Sequence, residues 1–123
     1  MNMETQTKAK PGAIFHFSCK VHGRKDGANA VKLAAYRAGS RLRSELTSRI
    51  HNYTRKKEVL WSEILAPRHA PAWAKDRSTL WNEVDRVEHR CDAQLAREIE
   101  IALPLVLSPT NHYDLLRQWA EET

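Results

Sequence analysis

The residues best suited to chemistry are one tyrosine and two glutamates. Tyr36 lies in the stretch NAVKLAAYRA, residues 29–38, one turn after Lys32, next to Arg37 and shortly before Arg41 and Arg43. A phenol, with a pKa near 10, becomes a nucleophile at neutral pH only when its proton is accepted or nearby positive charge stabilises its anion. The same ring could instead cover the rim of a core with its hydroxyl turned to a polar surface. Glu98 and Glu100 alternate along LAREIEIAL, residues 95–103, so a strand would point both carboxylates to one face about 7 Å apart. Such a pair suits metal coordination or proton acceptance, or it is a solvated face paired with lysines and arginines.

A second feature is a local basic excess. Arg41, Arg43, Arg49, Arg55, Lys56 and Lys57 are met only by Glu45 before Glu58. The run reads as a solvated, mobile loop or as a surface for backbone phosphates. Tyr53, set among His51, Asn52 and Arg55, adds an aromatic face on which unpaired bases can stack while the cations hold phosphates.

These groups need elements to hold them. Residues 29–38 read as a helix because Val31, Ala34, Ala35 and Ala38 recur on one face; Asp26 or Asn29 can cap its start, and Gly39 supplies its left-handed end. Residues 13–21, AIFHFSCKV, alternate Phe15, Phe17 and Cys19 against His16, Ser18 and Lys20, as a strand with one apolar face does. A basic turn follows it. Residues 58–65 are compatible with a second strand, stopped by Pro67 and Pro71. Residues 72–88 read as a helix with Trp73, Leu80, Trp81, Val84 and Val87 inside, and with Lys75, Asp76, Arg77, Glu83, Asp85 and Arg86 mostly outside. Residues 95–103 form the third strand, and Ser108-Pro109 opens a last helix carrying Leu115, Leu116 and Trp119. The polar residues 1–12, ending in Pro11-Gly12, read as a disordered leader.

Composition bounds the partners. The 123 residues make one small domain, and a net charge of +5 with a pI near 9.5 favours a polyanion. Cys19 and Cys91 form no CxxC or CxxH unit, which argues against a zinc knuckle or a disulfide scaffold. No apolar run approaches the roughly 20 residues of a membrane span, and the polar start lacks a signal peptide's apolar core. A reduced, cytoplasmic protein is expected, with no membrane partner.

Several blocks then carry a resemblance. FHFS, AAYRAG, YTRK, SEIL followed by a proline, LWN and LAREIEIALP occur in the order found in the MobA/MobL relaxases, plasmid mobilisation nickases of the HUH endonuclease superfamily, and the likeness covers almost everything after Gly12. The resemblance implies an α+β fold, a mostly antiparallel sheet with helices packed on it, and assigns residues 13–123 to the N-terminal part of a relaxase domain truncated before its C-terminal strands. It implies that Tyr36 attacks a phosphodiester of single-stranded DNA at a transfer origin, leaving a 5′-phosphotyrosine, with Glu98 and Glu100 beside the active site. Lys32, Arg37, Arg41, Arg43, Arg49, Tyr53, Arg55, Lys56 and Lys57 are the expected DNA-binding residues, and other relaxosome proteins are expected partners. Relaxases of this kind use a divalent metal, Mg or Mn, held by an HxH-type histidine cluster. Here His16, His22, His51, His69, His89 and His112 are scattered and none forms HxH, so the chain is expected to bind no metal and to nick poorly alone. A non-catalytic single-stranded DNA-binding module and an inactive remnant are the alternatives. A missing strand would leave an exposed sheet edge through which copies could associate.

Overall fold

A computed structural model describes residues 3–8, 17–102 and 109–122. Strand β1 (Met3–Lys8) is followed by β2 (Phe17–Gly23), a 3-10 turn (Arg24–Asp26), helix α1 (Ala30–Ala38), β3 (Arg41–Arg43), β4 (Ile50–Asn52), β5 (Val59–Leu65), a second 3-10 turn (Ala72–Lys75), α2 (Arg77–Val87), β6 (Gln94–Ile101) and α3 (Pro109–Glu122). The strands pair as β1 with β5, β2 with β6 and β3 with β4, each pair antiparallel. The fold is α+β, with helices packed on antiparallel strands.

The core sits under α1. Val31, Ala34 and Ala35 pack with Leu42 of β3, and Tyr53 and Trp81 close over them. Alanines at the contact let the helix backbone approach its neighbours closely, so a nine-residue helix is fixed between the β3–β4 hairpin and α2. Both ends of α1 follow the sequence signals. Asn29 accepts from the Lys32 amide at 2.8 Å, and Gly39 takes φ 62° as the left-handed end.

Four readings need correction. Backbone pairing with β5 makes Met3–Lys8 a strand where polar composition predicts a disordered leader; a polar segment can pair through backbone groups alone. Residues 72–88 are not one helix, because Asp76, at φ −87° and ψ 114°, ends the first turn and caps α2 by accepting from the Thr79 amide at 3.0 Å. Within that segment Trp73 is 45% and Val87 52% exposed, whereas Asp85, expected outside, is buried to 1% exposure. Finally, part of the basic loop is ordered as the β3–β4 hairpin, since Leu42 between Arg41 and Arg43 is buried against α1. Residues 13–16, 103 and the expected cap Ser108 lie outside the described residues.

The register of β2 on β6 sets opposite residues Lys20 and Glu98, Ser18 and Glu100, Cys19 and Ile99, and Val21 and Arg97. Residues opposite one another share a face. His22, Lys20, Ser18, Ala96, Glu98 and Glu100 therefore form one face, and the other, carrying Phe17, Val21 and Ile99, is largely exposed.

Candidate functional site

Tyr36 is positioned from both ends of its helix. At the N-terminus, Asp85 of α2 accepts from the amides of Ala30 and Val31 at 3.0 and 3.3 Å, satisfying donors that a helix start leaves unpaired. Arg24 completes this joint: Nη2 donates to Asp85 Oδ1 at 3.3 Å and to the carbonyls of Asp85 and Glu88 at 3.2 and 2.9 Å, while Nη1 donates to Ala28 O at 3.3 Å. Asn29 Nδ2 donates to the buried Ser44 Oγ at 3.2 Å, tying the same end to the hairpin.

At the C-terminus the chain turns on Gly39, and Tyr36 emerges 40% exposed. Its ring meets the Tyr53 ring edge to face, with centroids 5.2 Å apart. Lys56 Nζ lies 3.7 Å from the ring centroid and donates to the Tyr36 carbonyl at 2.9 Å; Arg37 Cζ lies 5.2 Å from the same centroid. The ring is packed by its neighbours, and the side chain still reaches solvent.

Arg37 joins the helix to the sheet. It forms an ion pair with Glu98, whose other oxygen, Oε2, lies 3.0 Å from His22 Nε2. Glu98 is thus held between α1 and β2, with its side chain 18% exposed, rather than solvated. Glu100 lies on the same face opposite Ser18. His22 was passed over in the sequence as one of several scattered histidines. Strand alternation puts it on the Lys20 face, but only the register, with His22 opposite Ala96, brings it diagonal to Glu98.

The basic set separates into two groups. Lys32, Arg41, Arg43, Arg49, Arg55 and Lys57 are exposed, on α1, the hairpin and the turn that follows, whereas the Lys56 side chain is only 12% exposed. His51, opposite Leu42, is half-buried, and its Nε2 has no hydrogen-bond partner among the described residues. Burial, reinforced by the charges of Lys32 and Arg49, holds its imidazole below the ordinary value of 6.5.

A resident divalent metal does not fit the described residues. No group of three or more histidine, cysteine, aspartate and glutamate side chains is gathered among them. His22 and Glu98 offer two donors, and Glu98 already engages Arg37 and His22 with its two oxygens. No helix among the described residues is long and apolar enough to cross a membrane.

This arrangement has relatives. The conjugal transfer protein TraA of Rhizobium radiobacter is 40% identical over 119 residues, covering 89% of this chain and 11% of its own length. The mobilization protein MobL of Acidithiobacillus ferridurans is 46% identical over 96 residues, 78% of this chain and 25% of that protein. A solved structure bearing on the molecular basis of vancomycin resistance transfer in Staphylococcus aureus superposes with a TM-score of 0.84 at 35% identity, covering 90% of this chain and 57% of the other. The chain therefore spans a quarter or less of these two relatives and somewhat over half of the solved one. The MobA/MobL family profile matches residues 28–123, a span that takes in α1 with Tyr36, the hairpin, and β6 with its carboxylates, and the chain belongs to the MobA/MobL family.

Proposed function

We propose that this chain supplies the nucleophile and part of the strand-binding surface of a relaxase, a DNA-nicking transesterase of plasmid mobilisation acting on single-stranded DNA at a transfer origin. The Tyr36 oxygen attacks phosphorus, the bond from phosphorus to the 3′ oxygen breaks, and the products are a 5′-phosphotyrosine and a 3′-hydroxyl. The phenolic proton passes to an acceptor and the leaving oxygen takes one up. No phosphodiester energy is lost to water, so the reverse step rejoins the strand.

The observation that carries this reading is a 40%-exposed tyrosine at the cationic end of a helix whose other end is locked. Positive charge beside the ring favours a developing phenolate. Glu98 contributes by fixing the Arg37 guanidinium next to Tyr36, and Glu100 lies on the same face. Arg41, Arg43, Arg49, Arg55, Lys57 and Lys32 hold the backbone of the strand, giving salt-dependent binding.

The test is covalent trapping with single-stranded origin DNA and Mn²⁺ or Mg²⁺. It compares this chain, Tyr36→Phe, and a chain extended to the length of the solved relative. An adduct on the extended chain that vanishes in Tyr36→Phe is the expected result. No adduct on any of them, with DNA binding intact, would overturn the nicking reading.

A second reading is a non-catalytic single-stranded DNA-binding module, which the exposed cations of the hairpin and the turn after it also suit. That module would bind DNA with the same salt dependence whether or not residue 36 carries a hydroxyl.

A further inference from the structure

Lys56 stands apart within its basic stretch. Arg55 and Lys57 on either side are exposed, while the Lys56 side chain turns inward. It meets Tyr36 twice, at the ring face and at the carbonyl, and its Nζ also lies 3.9 Å from Glu58 Oε1. That carbonyl belongs to the last turn of α1, where the helix dipole is negative and a cation is favoured.

The turn that carries Lys56 is itself seated on the end of α1. The Tyr53 amide donates to Ser40 O at 3.0 Å, and the Lys56 amide donates to Tyr53 O at 3.1 Å. Gly39, at φ 62°, supplies the left-handed residue that turns the chain from α1 towards this turn. Tyr53 then braces the Tyr36 ring by its edge while Lys56 covers its face.

We infer that Lys56, with Tyr53, is a positioning residue that orients the Tyr36 ring for attack, and that it acts through the tyrosine rather than as a phosphate contact. This rests on Tyr36 being the nucleophile. An ammonium over the ring and tied to the residue's own carbonyl limits the swing of the side chain about its Cα–Cβ bond, and a reacting oxygen held in one direction loses far less rate than one free to wander. The assignment separates Lys56 from Arg41, Arg43, Arg49, Arg55 and Lys57, whose exposed charges suit the strand itself.

Three measurements test it, the first two without any need for nicking. With 3-fluorotyrosine at all three tyrosines, Tyr36, Tyr53 and Tyr113, fluorine resonances are assigned by single Tyr→Phe changes. Lys56→Met is expected to move the Tyr36 resonance and leave that of Tyr113 in place, with Lys56→Arg restoring most of the shift; an unmoved Tyr36 resonance overturns the inference. Salt-dependent binding of single-stranded DNA is then compared. The logarithmic slope is expected to match the wild type, whereas a fall of about 0.7 would mean that Lys56 neutralises a phosphate and would also overturn it.

In the extended chain, single-turnover adduct formation at saturating DNA should fall roughly tenfold in Lys56→Met with the Kd unchanged, and Lys56→Arg should recover part of it. A loss confined to Kd counts against the inference. Should Lys56→Met fail to fold, Tyr53→Leu removes the bracing edge without touching charge and must move the same Tyr36 resonance. If the wild-type extended chain gives no adduct, the nicking reading has failed, and the fluorine resonance still decides whether Lys56 holds the ring.

Discussion

The two ends of α1 are built for opposite tasks. At the N-terminus, Asp85 is buried to 1% exposure, and its carboxylate meets two helix amides and the Arg24 guanidinium. At the C-terminus, Tyr36 is 40% exposed between cationic side chains, and exposed arginines continue into the hairpin. In both places the sign of the charge suits the helix dipole, acidic at the start and basic at the end. The difference lies in solvent. A buried carboxylate surrounded by donors has nothing left to offer a ligand, whereas a half-exposed phenol beside cations does. One end of a short helix can present chemistry because the other end is fixed.

If that contrast is right, the largest loss of stability should come from the anchored end. Asp85→Ala leaves the Arg24 guanidinium and two helix amides without their acceptor, and breaking a buried pair this way typically costs about 3–5 kcal/mol. A chemical denaturation midpoint with an unchanged slope measures it. A loss below about 1 kcal/mol would mean that the joint is not what holds α1. Tyr36→Phe, which removes only a hydroxyl from the exposed end, should leave the midpoint almost where it was while abolishing the adduct.

An intermediate effect is expected at Gly39. Alanine there must take φ near 62°, at a cost of about 1 kcal/mol. Relief of that strain should shift Ser40, whose carbonyl accepts from the Tyr53 amide, so the Tyr36 fluorine resonance should move along with the midpoint. A midpoint shift with no change at Tyr36 would separate the helix end from the presentation of the ring.

The smallest effect is expected from His51. Burial first, then Lys32 and Arg49, keep its folded-state pKa below the ordinary value of 6.5. Between those two values the unfolded chain binds a proton that the folded chain refuses. Stability is therefore full above about 6.5 and declines as the pH falls towards the folded-state value. His51→Gln should flatten that decline in a series of melting temperatures from pH 8 to 5, and an unchanged slope would show that His51 is not the group responsible.

How far the site could be read beforehand differs residue by residue. Asn29 and Gly39 marked the ends of α1 because capping depends on residue types a few positions apart. The face shared by Glu98 and Glu100 followed from strand alternation. His22 was missed because its approach to Glu98 depends on the register of two strands 76 residues apart in sequence. On its own helix Asp85 is one charge among several, and nothing local marks it as buried. Its burial is set by the amides of α1 and by Arg24, 61 residues away. Lys56 looked like any member of its basic run until the Tyr53 turn was seen folded onto the end of α1.

The helix that carries Tyr36, the alternation of the strands, the basic excess and the likeness to the MobA/MobL family are each written in residues near one another along the chain. Which charges are spent inside and which remain available depends on how distant segments pack. The free energy of a charge depends on the donors, acceptors and water around it, and at Asp85, Glu98 and Lys56 those neighbours come from distant segments.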